Sequence, residues 1–147
     1  MKRLKFYVCP DCGNILTVTG GGEIHCCGRK LRPLEARHAD ADHSVRVQEV
    51  EEDWYITFEH PMRKDHFFRF AAWVGTERVL LVRLYPEQGG EFRIPQLRGG
   101  KLYLCCSRDG LFEVRIGAVC SRLLTGHPGP GARFSGTIRR RRLPPIP

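Results

Sequence analysis

The 147-residue sequence has no apolar run approaching the ~20 residues that cross a bilayer. Its opening "MKRLKFYVCP" lacks the uninterrupted apolar core of a signal peptide, so the expected compartment is the cytoplasm. No segment holds a helical period, which argues against helix bundles and βαβ units. Acidic residues are missing from positions 117–147, which carry six arginines, whereas residues 1–116 hold 18 Lys+Arg against 16 Asp+Glu. Most of the net charge of +8 therefore belongs to the tail, and the body is nearly neutral.

Cysteine, by contrast, is plentiful. In a reducing compartment seven cysteines do not read as a disulfide framework, and the odd count points the same way; metal binding is the default reading. Residues 1–36 form a segment too short to fold by burial alone, with a Cys-Pro-Asp-Cys-Gly turn and a second cysteine turn, "CCGRK", at 26–30. The polar stretch "ARHADAD" at 36–42 has no apolar period and is expected to be a linker into a second unit, 37–117. That unit contains seven short strand-like segments: "SVRVQEV", "WYITF", "FFRFAAWV", "RVLLVRLY", "EFRI", "KLYLCC" and "LFEVRI". Turn signals separate them, which predicts an antiparallel sandwich or barrel. Trp54, Phe58, Phe68, Phe70, Trp73 and Leu81 are expected in its core. Residues 118–147, rich in Gly, Pro and Arg, are expected to be a mostly disordered tail. Its "RRRR" at 139–142 has no aromatic interleaving beside it, so a solvated tail is preferred to a nucleic-acid or lipid site. Cys120 has no assigned partner.

Cys9 and Cys12 form C-x-x-C, and Cys26 and Cys27 follow after thirteen residues. Two cysteine turns facing one ion make a tetrahedral S4 site suited to zinc or to a single iron. The flanking text, "YVCPDCGNILTV … CCGRKL", resembles the desulforedoxin module that opens desulfoferrodoxins. The resemblance implies a rubredoxin-like iron held by Cys9, Cys12, Cys26 and Cys27 as a one-electron carrier, and pairing of two chains into a homodimer. Zinc remains the alternative occupant.

The second unit carries "HPMRKDHFF", which resembles the His-Pro-Met-x-x-x-His motif of the superoxide reductase domain. That family implies an immunoglobulin-like antiparallel β-sandwich preceded by the small metal module. It also implies a ferrous iron held by four histidines and an axial cysteine, which delivers one electron to superoxide. By resemblance His60 and His66 are ligands, His43 is the upstream histidine, and Cys106 in "CCSRDGLF" supplies the thiolate. Asp109 falls at the place of the fourth histidine. Asp-Gly is equally a hairpin signal, so direct metal contact and a turn corner both stay open. The family's Glu-Lys pair before the first histidine is replaced by Ala41-Asp42, reversing a charge; Lys64 is the weak candidate for a compensating cation. Cys105 should face away from Cys106 into a core. The implied partners are superoxide and a rubredoxin-like or flavoprotein electron donor. Two other readings stand beside this one: an impaired electron-transfer protein of the same fold, and a zinc-stapled interaction module.

Overall fold

The structure, a computed structural model, describes residues 4–114. Cys120, the arginine run and the last two residues of "LFEVRI" lie outside them. Every regular element among the described residues is a strand. The N-terminal module consists of a hairpin of β1 (Lys5–Val8) and β2 (Ile15–Val18) and a smaller one of β3 (His25–Cys26) and β4 (Arg29–Lys30).

The remaining strands are β5 (Ala36–His38), β6 (Val45–Val50), β7 (Asp53–Phe58), β8 (Phe68–Val74), β9 (Val79–Arg83), β10 (Glu91–Pro95), β11 (Lys101–Cys106) and β12 (Gly110–Val114). They form two sheets, ordered β10-β7-β6 and β5-β12-β11-β8-β9. The expected all-β sandwich with a small cysteine-rich module is what the chain forms. Strands covered on one face alternate: Val45 and Val47 point inward from β6, as do Phe92 and Ile94 from β10, with polar residues between them facing water. Strand β8 is buried almost continuously because both of its faces are covered. Phe68, Ala71 and Trp73 meet the three-stranded sheet, while Phe70, Ala72 and Val74 meet the N-terminal module.

Three expectations need correction. The stretch 36–42 is not simply a linker: Ala36–His38 forms β5, which pairs in parallel with β12 and adds an eighth strand to the sandwich. All three of its residues are exposed, so main-chain pairing rather than burial places it there, and no apolar period betrays it. Phe70 is fully buried, but between the sheet and the module rather than between the sheets. Its ring lies 5.4 Å from that of Phe6, which in turn lies 5.7 Å from Tyr103, so the module and the sandwich share an apolar seam. Leu81 is 40% exposed. It stands opposite Ala72 on the outward face of the edge strand β9, outside that seam.

A break in register shapes the end of β8. Cys105 pairs with Phe70, yet Cys106 pairs with Phe68, leaving Arg69 as an extra residue. Strict alternation from Trp73 and Ala71 would turn Arg69 inward and Phe68 outward. The bulge turns Phe68 back into the inter-sheet core, a task bulges often perform beside functional sites.

Candidate metal centres

The four module cysteines converge. Their sulfurs all lie within 4.8 Å of one another, and Cys12 Sγ is 3.6 Å from Cys26 Sγ. A disulfide would need about 2.05 Å. The edge of an S4 tetrahedron with bonds of about 2.3 Å is about 3.8 Å, close to what is found. The first turn is closed by Gly13 N–H on Cys9 O and Cys9 N–H on Asn14 O, both 2.9 Å. In the second, Cys27 and Gly28 form the two-residue link between β3 and β4 with φ of +53° and +71°. That pattern is a type I′ turn, where Asn-Gly is the ordinary choice. A cysteine tolerates the left-handed backbone poorly. Its presence in the turn explains the adjacent pair: Cys26 ends the strand, Cys27 makes the corner, and both sulfurs reach one point.

Electrostatics agrees with a cation-binding set. Backbone amides, chiefly that of Cys12, lower the Cys9 thiol to about 7. The surrounding thiols, Cys12 foremost, push Cys27 up to about 12, and Cys26 is raised for the same reason. One thiolate forms readily and the next are resisted, which is the repulsion that a metal ion removes.

The second cluster contains His43, His60, His66, Cys106 and Asp109, whose ligand atoms also lie within 4.8 Å of one another. His43 precedes β6, and His60 follows β7. His66 closes a narrow bridge with Arg63 through two main-chain bonds of 3.0 Å, and Cys106 and Asp109 flank the turn from β11 to β12. Each buried imidazole rests on a phenyl ring: His43 stacks on Phe112 and His60 on Phe68, both at 3.9 Å between centroids. This is where the β8 bulge matters, because Phe68 reaches His60 only from the inward face.

Tautomers follow from the outer partners. His43 Nδ1–H donates to Asp40 Oδ1 at 2.6 Å, and His60 Nδ1–H donates to the Pro61 carbonyl at 2.7 Å. Both leave the Nε2 lone pair for the cluster. His60 Nε2 is buried with no hydrogen-bond partner, an orphan that a metal would satisfy. Burial lowers the His60 pKa, keeping the ring neutral and able to ligate. His43 hydrogen bonding holds the Asp40 carboxyl below its ordinary range.

Asp109 stands at the turn and also reaches the cluster. It ends the three-residue link from Cys106 to Gly110, where Gly110, at φ +93°, takes the left-handed conformation. Its Oδ2 lies 3.2 Å from His43 Nε2, 3.2 Å from His66 Nε2 and 3.3 Å from Cys106 Sγ. Neighbouring ligands on one ion with bonds of about 2.1 Å stand about 3 Å apart, so the carboxylate has the spacing of a member of the set. His60 adjoins the His43 and His66 rings from the other side, at 5.1 and 4.6 Å between centroids. Asp109 thus completes a ring in the order His43, His60, His66, Asp109. The Cys106 thiol hydrogen-bonds the Asp109 carboxyl and, with the two imidazoles, lowers its pKa. Burial, aided by that carboxylate, raises Cys106, against the amides of Arg108 and Asp109 that face its sulfur. A cation entering the cluster would take the place of the proton between them.

Lys64 is not part of this arrangement. It is exposed at the tip of the 60–66 loop, 3.9 Å from Glu87. Ala41 and Asp42 border a 260 Å³ cavity with Arg46 and Glu59 beside His43, and Arg46 and Glu59 are paired at 2.9 Å. Cys105 turns to the module seam, where burial pushes its thiol up to about 12. Sequence reasoning missed Asp40, three residues before His43, although a carboxylate at that spacing in a turn was a usable signal. It also missed Arg37 and Arg108. Arg108 ties the two ligand loops together through Asp65 at 2.7 Å, a contact with no mark in the sequence.

The fold and the two clusters define a β-sandwich metalloprotein with a four-cysteine module and a mixed His/Cys/Asp centre. No family model matches the chain. Its sequence is 29% identical over 121 residues to a desulfoferrodoxin of Syntrophotalea carbinolica, covering 76% of this chain and 96% of that protein. It is 26% identical over 121 residues to a desulfoferrodoxin homolog of Archaeoglobus fulgidus, covering 75% and 95%. The structure is similar to that of the superoxide reductase from Treponema pallidum, with a TM-score of 0.65 and 16% identity over 76% of this chain and 97% of that one. Together these comparisons show a likeness to desulfoferrodoxins in sequence and to a superoxide reductase in fold.

Proposed function

We propose that the chain is a two-iron oxidoreductase of superoxide reductase type, working in the cytoplasm as a homodimer and drawing electrons from a rubredoxin-like or flavoprotein donor. The observation that carries this reading is the orphaned Nε2 of buried His60, set in a cluster with two further imidazoles, a carboxylate and a thiol. His43, His60, His66, Cys106 and Asp109 would hold one iron, and Cys9, Cys12, Cys26 and Cys27 the other. When bound, ferrous iron supplies one electron to superoxide, which leaves with two protons as hydrogen peroxide. The chain's own part is to fix the ligands. Asp40 and the Pro61 carbonyl hold the two histidine tautomers, the Phe112 and Phe68 rings hold their planes, and the amides of residues 108 and 109 favour the Cys106 thiolate.

Asp109 supports a second reading, an electron-transfer protein of the same fold with an impaired reducing centre. A carboxylate in place of an imidazole favours ferric over ferrous iron and repels an approaching anion. Zinc in the four-cysteine site would instead favour a stapled interaction module, since zinc has no redox chemistry. The deciding experiment measures superoxide consumption by anaerobically purified, iron-loaded protein and by Asp109→His. The proposed reading expects consumption that Asp109→His raises by about tenfold, the scale of a ligand-shell change. No consumption by either protein, with iron present in both centres, would favour the impaired carrier.

A further inference from the structure

Asp109 is 43% exposed and sits on a three-residue link, so something must keep its carboxylate aimed inward. The link is tied down on one side. Ser107 N–H donates to Phe67 O at 2.8 Å and its Oγ accepts from Phe67 N–H at 3.1 Å, while Arg108 holds Asp65. These bonds fix residues 107 and 108 to the segment carrying His66. Asp109 itself is held from the other side, by the Arg37 guanidinium donating to its carbonyl oxygen. Arg37 lies on β5, opposite Phe112 in register, and its guanidinium is 5.1 Å from the centre of that ring. Phe112 in turn stacks on His43. One side chain thus links the strand missing from the sequence reading, the ring behind one ligand and the main chain of another.

We propose that Arg37 is a positioning residue for the mixed metal centre: from β5 it clamps the Asp109 main chain so that the carboxylate stays within the ligand cluster. The bond runs to a backbone carbonyl, which is indifferent to the Asp109 side chain, so the guanidinium orients the carboxylate without competing for its oxygens. The inference rests on Asp109 being a ligand, and its test separates the two claims.

The test is cobalt(II) binding to the full chain, titrated against a competing chelator and followed in the visible absorption bands. The tetrathiolate centre is expected to fill in every variant and serves as the internal reference, because the Arg37 side chain is engaged with Asp109 and Phe112. Arg37→Gln, Asp109→Asn, the double variant and Arg37→Lys are compared. The proposal expects Arg37→Gln to weaken cobalt at the mixed centre by about tenfold, the lower end of outer-partner effects. Its bands should shift toward those of Asp109→Asn, and the same substitution in the Asp109→Asn background should change affinity less than twofold. Arg37→Lys, which keeps a cation and a donor, should recover part of the affinity. An equal loss in both backgrounds would make Arg37 a fold contact and overturn the proposal. Arg37→Gln as tight as the parent, with Asp109→Asn weakened, would overturn it while leaving Asp109 a ligand. Asp109→Asn as tight as the parent would remove the premise itself.

Discussion

Asp40 and His60 show how single residues prepare a centre before any ion enters. The Asp40 carboxylate takes both the ring N–H and the main-chain N–H of His43, at 2.6 and 3.0 Å, so it fixes the tautomer and the entry angle of the chain together. Asp40→Ala is therefore expected to lower metal affinity at the mixed centre by about 10–100-fold while sparing the four-cysteine site, as a chelator competition would show. His60 has the opposite need, to stay uncharged. Its folded pKa lies below the ordinary 6.5, mainly through burial and further through the His66 and His43 charges. Below pH 6.5 the unfolded chain takes up a proton at this residue that the folded chain refuses, so stability falls as pH drops from 6.5 toward the lowered value and is unaffected by this group above 6.5. Urea midpoints of metal-free protein between pH 7.5 and 5.5 should therefore fall more steeply for the parent than for His60→Gln; parallel curves would contradict the assignment.

At the scale of elements, the β8 bulge and the β5 edge do what the strand pattern alone could not announce. The seven strands read from apolar alternation and turn chemistry are all present, because burial on one or both faces is written in residue type. Strand β5 was not legible, since three exposed residues joined by main-chain bonds carry no apolar signature. The bulge was not legible either: "FFRF" offers an aromatic to each face, and nothing in it says which residue is extra. For the two clusters, the residues that converge were named from cysteine spacing and from family resemblance, whereas the partners that orient them were not, Asp40 included. Phe68 joins both stories, being fully buried, 5.1 Å from the Phe58 ring and stacked on His60. Phe68→Ala should cost about 3–5 kcal/mol in urea unfolding and loosen metal at the mixed centre, while Phe68→Leu should keep most of the stability. A Phe68→Ala protein with undiminished metal affinity would show that the ring contributes packing alone.

Across the molecule, the N-terminal module is an integral layer rather than an appended bead. Phe6 and Phe70 are buried against each other, Leu34 N–H bonds Phe6 O at 2.8 Å, and the next strand, β5, enters the sheet that carries Cys106. One polypeptide thus packs the module that carries the four cysteines against the outer face of a sheet whose inner face carries Cys106. No helix long and apolar enough to cross a membrane occurs among the described residues. Both clusters are expected to hold metal, the second through Cys106. The most direct test is iron and zinc per chain, with the visible spectrum, for the parent and Cys106→Ser purified without oxygen from iron-supplemented medium. Two irons are expected in the parent, and loss of the mixed centre's thiolate-to-iron absorption in Cys106→Ser with the tetrathiolate spectrum unchanged. A single metal in the parent, or a spectrum indifferent to Cys106→Ser, would contradict that expectation.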